Sequence, residues 1–170
     1  MKTHLAAIAL ALAPAAADAA VLDIPATDGV GATLDLAAGV YDVTPVDRGG
    51  AGGFTAWTAW ASVAGCDGAG ADCATGWIMS YTYASPSLGT VAVSGDGMFA
   101  TPALAFPSGV PSRFTLATRE PVRFFIADDP YADNSGGVSL SVTPAAVVPL
   151  PGAAALLATA LAALGAARRR

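Results

Sequence analysis

Between Val21 and Pro144 the chain contains no helical periodicity of useful length. What recurs is alternation of apolar and polar residues in short runs separated by Gly, Pro, Asp and Ser. That pattern is the signature of a β-sandwich or barrel. The clearest runs are Val40 to Val46, Phe54 to Val63, Trp77 to Tyr83, Thr90 to Ser94, Arg113 to Thr118, Val122 to Asp128 and Val138 to Thr143. In the last of these, Val138, Leu140 and Val142 fall on one face and Ser139, Ser141 and Thr143 on the other. Such a strand buries one face and wets the other, as in an antiparallel sheet packed on a core. The expectation is one all-β domain over residues 20–144, about 125 residues in eight or so strands, enough for a single modest core. No internal repeat is visible.

The two ends are of a different kind. Met1 and Lys2 precede an apolar stretch from Leu5 to Ala17 that ends in Ala17-Asp18-Ala19. A basic start, a short apolar core and a small-x-small site are the grammar of a secretory signal peptide, here residues 1–19. Residues 152–167 are Gly, Ala, Leu and one Thr, and Arg168, Arg169 and Arg170 follow directly. Three arginines resist translocation and stay cytoplasmic, so the apolar segment would hold the chain at the inner membrane in transit. Its length and Ala content make it a marginal span.

With both ends set aside, the region from Ala20 to Leu150 holds four Arg (Arg48, Arg113, Arg119 and Arg123) and neither Lys nor His. It carries eleven Asp and Glu120, an excess of eight negative charges. Nucleic acid is excluded as a partner, because phosphate binding needs a basic surface. The only His, His4, belongs to the signal segment, so no imidazole base remains for nucleophilic catalysis of the Ser-His-Asp or Cys-His kind. A hydrolase using paired Asp is the remaining catalytic reading. Most of the Asp lie in Gly-rich turns, and the chain is read as a non-enzyme.

Cys66 and Cys73 enclose Asp67-Gly68-Ala69-Gly70-Ala71-Asp72. In an exported chain a pair this close around a flexible loop reads as a disulfide. A two-cysteine metal site is the rival reading. Three linkers are legible: a flexible surface loop at residues 49–53, a turn at 107–111, and a Pro-rich tether at 144–151.

The densest polar cluster is Asp128-Asp129-Pro130-Tyr131-Ala132-Asp133-Asn134-Ser135-Gly136-Gly137. Calcium takes six to eight oxygen ligands from carboxylates, amides and carbonyls, and Asp128, Asp129, Asp133 and Asn134 are the candidate set. The competing reading is a solvated hairpin loop, since Asp, Asn, Ser and Gly are also the usual turn formers. Phe54, Trp57, Trp60, Trp77, Tyr81 and Tyr83 are read either as core or as a stacking platform for a sugar ring. Trp57 and Trp60, three apart in a strand, face opposite sides.

Val148-Pro149-Leu150-Pro151, the apolar segment and the terminal Arg cluster together resemble the VPLPA-CTERM variant of the PEP-CTERM sorting signal, read by exosortases in exopolysaccharide-producing Gram-negative bacteria. Gly152 stands where that motif has Ala. The resemblance implies export to the inner membrane, cleavage by an exosortase-type membrane protease near the Pro-rich motif (residues 145–151), loss of residues 152–170, and delivery to the cell surface or beyond. The middle of the chain, with Leu-Ala-Ala-Gly-Val-Tyr-Asp-Val ahead of an aromatic-rich strand and Gly76-Trp77 after it, is similar to the β domains in front of such tails, which implies a jelly-roll architecture. The segment from Phe124 to Leu140 also resembles the strand-loop-strand of small calcium-dependent, galactose-specific bacterial lectins. That similarity implies a bidentate Asp128 or Asp129, and Asp133 and Asn134 in place of two Asn ligands. The loop here is shorter than in those lectins.

The expectation is a single jelly-roll-like β-sandwich between a signal helix and a sorting helix. It would be an exported, non-catalytic surface or matrix protein with calcium as a candidate ligand. The alternative is a calcium-dependent carbohydrate-binding module for exopolysaccharide.

Overall fold

In the computed structural model, residues 19–145 are described. The stretch expected as a signal peptide, apart from Ala19, and the residues expected to carry the sorting signal, Val148, Pro149, Leu150, Pro151, Arg168, Arg169 and Arg170, lie outside the described residues. Strict alternation produces the strands. In β7 (Ser112–Leu116) Phe114 and Leu116 are buried while Arg113 and Thr115 are exposed. In β8 (Glu120–Phe125) Val122 and Phe124 are buried while Pro121 and Arg123 are exposed. The remaining strands are β1 (Ala20–Pro25), β2 (Ala32–Leu36), β3 (Gly39–Val46), β4 (Trp57–Thr58), β5 (Ser80–Ser85), β6 (Gly89–Ser94) and β9 (Ser135–Pro144). One four-residue helix, α1 (Pro102–Ala105), is capped by the Thr101 hydroxyl, which accepts from the Leu104 N–H.

The pairing is nested. With the two-residue β4 set aside, the first strand pairs with the last (β1 with β9), β2 with β8, β3 with β7 and β5 with β6, every pair antiparallel. The chain is therefore one long hairpin with its tip at the turn between β5 and β6. Further pairs, β3 with β9 and β5 with β8, roll it into two facing sheets, ordered β1-β9-β3-β7 and β2-β8-β5-β6, with β4 added beside β9. The molecule is an all-β sandwich of two antiparallel sheets.

Inward residues of both sheets meet in one core. Ile24, Val43, Val122, Phe124, Ile126, Val138 and Leu140 have no exposed surface. At its centre Tyr41 and Phe114 of one sheet meet Tyr83 and Phe124 of the other. The Tyr41 and Phe114 rings lie 5.5 Å apart, Tyr83 and Phe114 5.2 Å, and Tyr83 and Phe124 6.0 Å. Offset and tilted rings at these separations contribute about 0.5–1.5 kcal/mol per pair beyond the area they bury. Tyr41 Oη donates to the Ala37 carbonyl, and Tyr81 Oη donates within reach of the Val110 carbonyl and Ser112 Oγ, so the buried phenols are satisfied.

Three expectations are modified. The run from Phe54 to Val63 contributes only β4, because its neighbours leave the sheet in a long excursion after Trp57 pairs with Gly136 and bridges Ile78. The run from Trp77 becomes a continuous strand only at Ser80, since Trp77 bridges Phe99 and Ile78 bridges Trp57 outside the sheet. Ser139 of β9, assigned to a wet face, has no exposed surface, because residues 47–56 fold over it.

Phe124→Ala opens a cavity at the meeting point of the two sheets, and its expected cost in urea unfolding is about 3–5 kcal/mol. The outward Thr115→Ala changes stability by no more than about 0.5 kcal/mol.

Candidate functional site

Antiparallel alternation sends the connections of the sandwich to two opposite ends. At one end residues 37–38, 86–88 and 117–119 make short turns. At the other lie all the long connections: residues 26–31, 47–79 with β4 inside, 95–111 and 126–134. Loops held at one end of a rigid sandwich are where binding residues concentrate, because they vary without disturbing the core. Every candidate site residue among the described residues sits at this loop-bearing end.

The loops are laced together by backbone pairing. Gly137 N–H donates to the Ala56 carbonyl, Trp77 and Phe99 exchange two hydrogen bonds, Cys73 N–H donates to Met98, and Ala100 N–H donates to Gly70. Cys66 and Cys73 form a disulfide. Inside its loop Asp67 Oδ1 accepts from the N–H groups of Ala69 and Ala71 at 2.9 and 2.8 Å, so a loop of small residues has a fixed shape.

The acidic loop does not gather its carboxylates. Asp129 and Asp133 are exposed, Asp128 is half-buried and Asn134 is buried. Among the described residues no three acidic, His or Cys side chains come together as a set able to hold a metal ion. Asn134 acts as a clasp: its Nδ2 donates to the Ala26 carbonyl at 3.0 Å, joining this loop to the end of β1. Its Oδ1 is buried and, among the described residues, has no hydrogen-bond partner. An unpaired buried acceptor costs about 1–3 kcal/mol, so it is a place for a water or a cation.

The two tryptophans divide. Trp57 is 4% exposed, and its indole N–H donates to the Ser80 carbonyl and Oγ, so it is core and offers no face for stacking. Trp60 is half-buried. A cleft of about 140 Å³ opens beside these loops, lined by Arg48, Phe54, Thr55, Trp77 and Pro102 among others. The alternation pattern had no means of locating it, because its aromatic residues, Phe54 and Trp77, lie far apart within the 47–79 connection and meet only when that connection folds back. The other described arginines are engaged. Arg113 forms a two-pronged pair with Asp42, Arg119 pairs with Asp35, and Arg123 donates to the carbonyls of Val30 and Gly29 while lying 4.2 Å over the Phe125 ring.

Residues 49–53, expected as a flexible loop, are tied down. Asp23 Oδ1 accepts from the Gly53 N–H at 2.7 Å and from Ser139 Oγ at 2.5 Å, and Ser139 Oγ in turn accepts from the Phe54 N–H. A methyl group on Gly52 would come within 2.6 Å of Ser139 Oγ, so glycine is required for this approach. The Ser139 hydroxyl and then the Gly53 N–H hold the Asp23 carboxyl below its ordinary value of 3.8. The only Glu of this region, Glu120, accepts from Ser87 and Ser85, and those hydroxyls likewise lower its pKa.

No family model, no curated protein and no solved structure matches the chain.

Because the carboxyl of Asp23 is depressed in the folded state, its stabilising contribution is present above its unfolded pKa and is lost as pH falls through the folded one. Unfolding free energy should hold from neutrality to about pH 5 and decline below about pH 4. Asp23→Asn should lower stability at pH 7 by about 1 kcal/mol, a charge-assisted bond discounted for exposure, and should flatten part of that acid decline.

Proposed function

We propose that the protein is an exported, non-catalytic surface or matrix protein, a jelly-roll domain delivered through an exosortase-type sorting signal. The observation that carries this reading is that residues 20–145 themselves supply two paired sheets and a packed core. The last strand ends at Pro144, the Ala145 N–H is tied to the Val40 carbonyl, and the Val-Pro-Leu-Pro motif begins shortly beyond. A protease acting at that motif would cut beyond the last described strand and leave β1 to β9 intact. The nested pairing of eight strands in two sheets supports the jelly-roll form, an arrangement of two Greek keys. The disulfide suits an oxidising compartment. Among the described residues no helix is long and apolar enough to cross a membrane, so transit at the inner membrane would rest on residues 152–170.

A second reading, a calcium-dependent module for exopolysaccharide, is favoured by one observation, the buried and unpartnered Asn134 Oδ1 in the acidic loop. The side chains present do not form a ready-made carboxylate cage, so backbone carbonyls or a rearrangement of Asp128, Asp129 and Asp133 would have to complete the ligand set.

Intact mass spectrometry of the protein from its native host tests the first reading. The expected species begins near Ala20 and ends close to Pro151, without Arg168 to Arg170; a chain that retains these arginines, or that is found in the cytosol, contradicts it. Melting in the presence and absence of millimolar calcium tests the second, because a cation bound only by the folded state raises the melting temperature. No rise removes calcium, and glycan binding that survives chelator removes the calcium-dependent module.

A further inference from the structure

A sheet edge is a row of unpaired N–H and C=O groups, and proteins guard it with charge, proline or cover. Among the described residues, and with the two-residue β4 set aside, three of the four edge strands are guarded. In β1, Asp23 is bonded to Gly53 and Ser139. In β2, Asp35 is paired with Arg119, and in β7, Arg113 is paired with Asp42. The fourth, β6, reads Gly89-Thr90-Val91-Ala92-Val93-Ser94 and carries neither a charge nor a proline. Gly89, Thr90, Ala92 and Ser94 are exposed, and among the described residues β6 has β5 as its only strand partner.

We propose that β6 is a self-association edge, pairing antiparallel with β6 of a second copy about a two-fold axis at Ala92. A two-fold interface must be complementary to itself. The sequence meets this condition: reading outward from Ala92, Val91 faces Val93 of the second copy and Thr90 faces Ser94. These β-branched and hydroxyl cross-strand pairs are ones that favour sheets. The two β2-β8-β5-β6 sheets then join into one continuous sheet of eight strands.

Among the edge strands, β6 is the one where charge opposes a second copy least. The region from Ala20 to Leu150 carries an excess of eight negative charges, so copies repel one another over most of their surface. A charge-free strand is where that repulsion opposes backbone pairing least. One strand pair buries little area, so the dimer is weak and concentration-dependent. The proposal does not depend on the sorting signal or on calcium.

Sedimentation velocity on the mature, disulfide-bonded protein from about 10 μM to about 1 mM, the range for an interface this small, should show monomer giving way to dimer. Ala92 is exposed, so Ala92→Lys and Ala92→Glu should keep the wild-type melting curve, with Thr90→Lys replacing either if it does not fold. Each variant alone places like charges directly opposite and should weaken the dimer more than about tenfold. An equimolar mixture of the two should recover association as a heterodimer. A wild-type protein monomeric throughout, variants that dimerise like wild type, or a mixture that does not recover association would each overturn the proposal. So would stronger association by Ala92→Lys alone, since that would make overall charge the controlling quantity.

Discussion

Four aromatic rings, Tyr41 and Phe114 from one sheet and Tyr83 and Phe124 from the other, close the sandwich, and most of the fold follows from bringing them together. They lie far apart along the chain and meet only because the strands pair in nested order, each pair enclosing the next. Such pairing makes nearly every stabilising contact non-local, and loop closure precedes the contacts that reward it. Two constraints are local, a disulfide around residues 67–72 and a side-chain cap at Asp67, and the long-range Asp23 and Ser139 clasp fixes the glycine loop.

Nesting also decides where variation is tolerated. Connections at the hairpin-tip end are short turns, whereas those at the other end are long and interlocked through Trp57, Trp77, Asn134 and the disulfide loop. The result is a rigid barrel of side chains with one elaborated end and one uncharged edge. Glu120, the only Glu of the region, is committed to capping a turn.

What could be read from the chain alone was what depends on local period. β3, β6, β7, β8 and β9 alternate cleanly and appear in the structure within a few residues of where the pattern puts them. The close Cys66 and Cys73 pair was legible for the same reason, since its geometry is local. β1 was harder, because Val21 is apolar yet 42% exposed beside the inward Leu22 and Ile24, which blurs the alternation. The burial of Ser139 could not be read, because the group that covers it, the Phe54 N–H, lies 85 positions away. Asn134 illustrates the same limit. Its residue type suits a turn, a ligand or a clasp equally, and its Nδ2 is committed by a carbonyl at Ala26, 108 positions distant.

We propose that residues 20–145 are a self-sufficient sandwich and that the segments outside them serve delivery. Producing that segment alone in an oxidising compartment and following unfolding by near-UV and far-UV circular dichroism tests it most directly. The expected result is a single cooperative transition, coincident by both probes, with aromatic near-UV signal from the packed rings. A segment that lacks this signal and melts without cooperativity, but regains both when residues 146–170 are restored, would contradict the claim.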